Sequence, residues 1–322
     1  MMDKVLKLTW KLFALMLSLF LLTGAAQPKQ STLDWMTGSP REPIHIKEWP
    51  GGKKVAVCFI LYVEEWGYGL GPSFRPEMTV RKPDLVNESF RQYAINIGVP
   101  RVGMLFNDEG VPLSIALNAL YPEKYPVAWK QLRSFVPNAP IIAHGMNNST
   151  DMLPLTDSIK AQIAYIRNVI DKIEKETGVK PRGWSSPSVY ANADTFAASV
   201  AAGITYSLDG MDSDTLSRLD TKFGKLILIP YPTTTVDMGQ YFQYSRDLEH
   251  LWIDYVIELA TEAAAHPDRE AIVVAIGIHP FVVGVPDSAG ALRRVIQAFK
   301  KQKLVWLTDV ETLIASDKLE ST

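Results

Sequence analysis

The chain has 322 residues, 47% of them hydrophobic and 21% charged, enough apolar side chains for a large core and no composition of a disordered polymer. A formal net charge of -2 provides no basic footprint, which excludes nucleic acid as a partner. Cys58 is the sole cysteine, so no disulfide can form within the chain and stability must come from packing.

Lys4 and Lys7 precede an apolar run from Leu12 to Leu22, followed by Thr23-Gly24-Ala25-Ala26-Gln27. A positive end, an apolar stretch short for a membrane span and small residues at its close are the pattern of a secretory signal peptide, here residues 1–26. An uncleaved anchor or a lipidation signal competes with this reading, although no cysteine follows the run. The expectation is a periplasmic or secreted protein with no stable membrane insertion after cleavage.

Residues 27–52 are polar and rich in Pro and Gly, and read as an extended lead-in. One domain is expected over residues 53–316, with a short tail at 317–322. Strand candidates follow at 55–63, 113–118, 141–144, 182–185, 204–208, 226–231, 271–278 and 304–307. Runs such as Leu226-Ile227-Leu228-Ile229 and Ile272-Val273-Val274-Ala275-Ile276 lack polar alternation, as in parallel strands covered on both faces. Helices are expected at 157–177, 247–265 and 288–301. The first carries Ile159, Ile163, Ile166, Ile170 and Ile173 at steps of three and four and stops at Gly178. Alternation of strand and helix over the whole domain argues for a single α/β domain, a distorted (β/α) barrel of seven or eight strands. Chemistry in such barrels sits at the carboxyl ends of the strands.

Three strand ends carry chemistry-bearing residues. The first closes in Glu64-Glu65-Trp66, the third in His144 and the seventh in His279-Pro280. Adjacent carboxylates can be a solvated pair, and a lone histidine is more often structural than catalytic. A carboxylate pair and two imidazoles converging on one rim meet the needs of acid-base hydrolysis. Cys58, inside an apolar strand, reads as an inert buried thiol. His45, His250 and His266 read as surface residues.

The pieces Tyr62-Val63-Glu64-Glu65-Trp66, Arg81-Lys82-Pro83-Asp84-Leu85-Val86-Asn87-Glu88-Ser89, Ala143-His144-Gly145 with Asn148-Ser149, Thr177-Gly178-Val179-Lys180-Pro181-Arg182-Gly183-Trp184 with Pro187, and His279-Pro280 occur in that order. Together they resemble the polysaccharide deacetylase family, and within it an allantoinase-like branch. The resemblance implies a distorted TIM-like barrel that hydrolyses non-peptide carbon–nitrogen bonds in carbohydrate or ureide metabolism. It would remove N-acetyl groups from an amino sugar or glycan, or open a cyclic ureide.

The metal-dependent members pair two Asp residues with a His-x-x-x-His motif. Here those positions hold Glu64 and Glu65, and His144 and Asn148. An amide oxygen is a weaker zinc ligand than an imidazole, and Glu carries its carboxylate one methylene further out.

The resemblance therefore leaves two mechanisms. Without metal, Glu64 or Glu65 activates water, His279 protonates the leaving nitrogen, and His144 with Asn148 orients the carbonyl. With a zinc-like divalent ion, Glu65, His144 and Asn148 hold it. No cofactor is the favoured expectation. Trp66, Trp184 and Pro187 are expected to wall the substrate pocket, with Trp184 and Pro187 where the family has its Arg-x-Pro wall. The partner would be a small molecule or a glycan, and relatives commonly form homo-oligomers. A catalytically inactive, glycan- or ligand-binding descendant is the alternative function. Glu64 with His279 discriminates against it, since binding alone needs neither.

Overall fold

The computed structural model describes residues 41–149, 158–240 and 247–316. The expected signal peptide, the first part of the lead-in and the tail lie outside the described residues.

In chain order the elements are β1 (Arg41–Pro43), β2 (Val55–Val63), α1 (Leu85–Tyr93), α2 (Val99–Glu109), β3 (Ser114–Leu117), α3 (Tyr121–Lys124), α4 (Pro126–Phe135), β4 (Ile141–Ala143) and α5 (Ile159–Thr177). There follow β5 (Gly183–Trp184), α6 (Ala193–Ala202), β6 (Tyr206–Gly210), β7 (Ser217–Thr221), β8 (Gly224–Pro230), α7 (Leu248–Ala265), β9 (Ile272–Ile278), α8 (Pro280–Val283), α9 (Pro286–Lys300), β10 (Val305–Thr308) and α10 (Val310–Ile314).

The sheet order is β1-β7-β8-β6-β5-β4-β3-β2-β10, with β9 also paired to β2. Every pairing among β2, β3, β4, β5, β6, β8, β9 and β10 is parallel. Among the described residues no ladder joins β8 to β9. The sheet is thus a distorted (β/α) barrel with a seam between those two strands.

All nine residues of β2 are buried. Alternation along a strand sends neighbouring side chains to opposite faces, and the two faces of β2 belong to different packing layers. Ala56, Cys58, Ile60 and Tyr62 point into the barrel with Ala116, Ile142, Tyr206, Ile229, Tyr231 and Ala275. Val55, Val57, Phe59, Leu61 and Val63 meet the helices outside. Each fully buried aliphatic or aromatic side chain here contributes about 1.5–3 kcal/mol.

Inside the barrel, space is tight. A Cβ on Gly277 of β9 would lie 2.0 Å from Tyr231 Oη, and one on Gly183 of β5 would lie 2.2 Å from the Tyr206 ring. Gly277→Ala should therefore destabilise the protein by about 1–3 kcal/mol through overpacking. Thermal unfolding of the variant measures this, and an unchanged midpoint would contradict the tight seam.

Helix α5 runs as its isoleucine spacing predicts. Ile166, Ile170 and Ile173 are buried, Ile159 and Ile163 half-buried, and Gly178 ends the helix in a left-handed conformation at φ 72°. The lead-in expectation is corrected where it can be seen. In 41–52, β1 pairs antiparallel with β7, and Ile44, Ile46 and Trp49 are buried against the barrel's foot. The apolar residues of this stretch are spaced among polar ones, which hid their collective burial. The β7–β8 hairpin, with Gly224 at φ 130°, is an antiparallel addition that the sequence reading did not contain. No helix of the described residues is long and apolar enough to cross a membrane.

Candidate active site

The alternation of β2 continues past its end and separates the two glutamates. Glu64 has the parity of Tyr62 and reaches the barrel mouth, whereas Glu65 has the parity of Val63 and turns outward. Glu65 Oε1 pairs with Lys124 Nζ of α3 at 2.5 Å, and Glu65 Oε2 is buried with no hydrogen-bond partner among the described residues. Removing the ammonium in Lys124→Ala leaves the Glu65 carboxylate buried and unpaired. Because Lys124 is 46% exposed, the expected loss is moderated by solvent, at about 1–2 kcal/mol in urea unfolding. The same substitution should lower turnover far less than a change at Glu64.

His144 follows β4 and is buried. After it, Gly145 adopts φ 72°, and a Cβ there would sit 2.4 Å from Pro187 Cγ, so the turn requires glycine. The turn brings Asn148 back beside Glu64. Glu64 Oε1 receives Asn148 Nδ2 and lies 3.2 Å from His144 Nε2. On its other side, His144 Nδ1 is 2.7 Å from the Ser185 carbonyl. A carbonyl oxygen can only accept, so Nδ1 carries a proton.

On the strand next to β2, His279 directly follows β9, whose Ile278 is in register with Leu61. Its backbone N–H donates to Asp237 Oδ2 at 2.6 Å, and its Nδ1 lies 2.6 Å from Asp237 Oδ1. This double grip leaves His279 Nε2 as the nitrogen available to the pocket. The ring stacks on Tyr62 with centroids 4.8 Å apart and planes 10° from parallel. Burial disfavours the charged imidazole, but the charge and hydrogen bond of Asp237, with Glu64 beyond, outweigh it and hold the His279 pKa above the ordinary value. Burial in turn raises the Asp237 carboxyl, against the opposing pull of His279.

Glu64, His144, Asn148 and His279 line one cavity of about 540 Å³, whose other walls include Tyr62, Trp66, Ser185, Tyr231 and Met238. This volume is in the range of small-molecule sites. Of the expected wall residues, Trp66 lines the cavity. Trp184 does not: it is fully buried beneath it, with Nε1 donating to Ser186 Oγ at 2.9 Å. As part of the parallel ladder, its side chain is committed to the layer under the helices. Pro187 is also behind the cavity wall, packed over Gly145.

The metal alternative needs Glu65, His144 and Asn148 to face one point. They do not fit: the Glu65 carboxylate is engaged by Lys124, and Asn148 presents its Nδ2, which has no lone pair to give, toward Glu64. Sequence reasoning missed three residues of the arrangement. Asp237, Asn118 and Lys124 stand in no recognisable motif, although Asn118 closes β3 and strand-end position was the signal that could have found it.

No family model matches the chain. In sequence it is 22% identical over 321 residues to a Schizosaccharomyces pombe protein named "Putative polysaccharide deacetylase", covering 86% of this chain and 94% of that one. Among solved structures, "Puue Allantoinase" superposes with a TM-score of 0.70 at 22% identity, over 92% of this chain and 97% of that one. A probable polysaccharide deacetylase from Pseudomonas aeruginosa PAO1 gives 0.70 at 23% identity, over 86% and 93%. The fold is therefore that of the polysaccharide deacetylase and allantoinase structures. The resemblance carried by the motifs holds both in sequence and in fold.

Proposed function

We propose that this chain is a hydrolase of non-peptide carbon–nitrogen bonds, removing the acyl group of an amino sugar or opening a cyclic ureide. The observation that carries the reading is the convergence on one cavity, from the neighbouring ends of β2 and β9, of a carboxylate contacted by two side chains and an imidazole held by a buried carboxylate. Glu64 takes a proton from water as the hydroxide adds to the substrate carbonyl carbon. His279 Nε2 gives its proton to the nitrogen as the carbon–nitrogen bond breaks. The products are a carboxylic acid and an amine or ureido nitrogen, and the proton on Glu64 returns to His279 through solvent. Of His144 and Asn148, expected to orient the carbonyl, Asn148 has its donor on Glu64 and so positions the base, while His144 donates through Nδ1 to the Ser185 carbonyl and lies with Nε2 against Glu64.

The test is a panel of N-acetylglucosamine oligomers, peptidoglycan fragments and allantoin, read by acetate release and by ureide ring opening. Turnover of one class, absent in Glu64→Gln, supports the proposal. Substrate binding without turnover above that background would establish the ligand-binding alternative. We further propose export, on the strength of Lys4, Lys7 and the apolar run to Leu22. Amino-terminal sequencing of the protein recovered outside the cytoplasm should begin near Gln27, and an intact Met1 there would refute cleavage.

A further inference from the structure

Asn118, fully buried at the end of β3, ties together three strand ends. Its own N–H donates to Val63 O at 3.1 Å, and beside it Ala119 N donates to Gly145 O at 2.9 Å. The orientation of its amide is decided by a backbone group. Glu65 N–H donates to Asn118 Oδ1 at 2.8 Å, and a backbone N–H can do nothing but donate. Asn118 Nδ2 must then face the other way, where it donates to the His144 carbonyl and lies 3.4 Å from Asn148 Oδ1.

That placement decides the next amide in turn. With Asn148 turned over, its NH₂ would confront the NH₂ of Asn118, and its oxygen would confront the Glu64 carboxylate. Both contacts repel, and in a part-buried place such repulsion is less screened than in open water. The backbone of Asn148 is anchored as well, its N–H donating to Glu65 O at 2.9 Å. Only one orientation remains, with Asn148 Nδ2 on Glu64 Oε1.

We propose that Asn118 is a positioning residue: it locks the Asn148 side chain as a hydrogen-bond donor to Glu64, and so makes this corner of the pocket a site for proton transfer and not for a metal ion. The proposal rests on the reading of Glu64 as the base. In Asn118→Asp the new carboxylate still accepts from Glu65 N–H, but its second oxygen now demands a donor. Asn148 turns its Nδ2 toward it and presents Oδ1, beside Glu64 and His144, to the pocket. Three ligand atoms then face one point.

Isothermal titration of the full-length protein with zinc chloride reads this change without reference to activity. We expect N118D to bind about one zinc per chain at least roughly tenfold more tightly than the wild type and than N118D/H144A. A folded N118D whose zinc affinity equals that of the wild type overturns the proposal. Kinetics supply a second decision, independent of whether N118D folds. Asn118→Ala and Asn148→Ala should each lower kcat roughly tenfold or more with KM within about twofold, the loss of a hydrogen bond to a charged group. The double variant should be no worse than Asn148→Ala, because Asn118 acts through Asn148. Losses that multiply overturn the proposal. A wild type with no turnover defeats the functional reading instead, and the zinc titration then decides the role of Asn118 alone.

Discussion

Glu64→Gln should lower kcat by about 10²–10⁴-fold, the range for removing a general base. The amide keeps the size of the carboxylate and can still accept from Asn148 through its oxygen, so the protein should unfold at the wild-type temperature and bind substrate with a similar KM. Glu65→Gln is the matched control. Its carboxylate faces Lys124 and lies outside the cavity, so its turnover should stay within roughly tenfold of the wild type. Steady-state kinetics on whichever substrate class is turned over decide between the two. A larger loss at Glu65 than at Glu64 would reverse the assignment of the base.

The second large effect concerns His279 and Asp237 at the neighbouring strand end. His279→Ala should cost about 10²–10⁴ in kcat by removing the proton donor. Asp237→Asn should act through the pH profile. The His279 pKa is held above the ordinary imidazole value because the Asp237 charge outweighs burial. A donor must be protonated, so the alkaline limb of the profile falls as pH rises through that raised pKa, while the base Glu64 governs the acid limb. With Asp237 neutralised, burial is less opposed and the pKa drops, moving the alkaline limb of the kcat profile to lower pH. Rate measurements from pH 5 to 9 would show the shift. An alkaline limb that stays in place in Asp237→Asn, with activity retained, would remove His279 from the acid role.

How far the site could be read from the chain depended on whether its parts lie along one element. Glu64, His144 and His279 were found because each ends an apolar run, and barrel strands share one direction. The division of labour between Glu64 and Glu65 was also within reach. The two-residue period of β2, extended two steps, sends Glu64 with Tyr62 and Glu65 with Val63. Trp184 was misplaced for the same reason, since its parity on a two-residue strand was not considered. Asp237 could not be found this way. It opens a helical turn after β8, 42 residues before His279, and nothing local distinguishes it from any aspartate at a helix start.

Local order alone determined a single α/β domain of parallel strands, the run of helix α5 and the three strand ends that meet at the mouth, because periodicity records which faces are covered. The tertiary structure alone decided the chemistry of those ends. Whether an asparagine amide offers its oxygen or its nitrogen, and which nitrogen of a histidine faces the cavity, is set by the groups across from it. Those groups, Asn118, Ser185 and Asp237, arrive from other parts of the chain, past β3, past β5 and from a helical turn after β8. Hydrogen-bond direction is a property of pairs, and pairs distant in the chain are made only by closing the barrel.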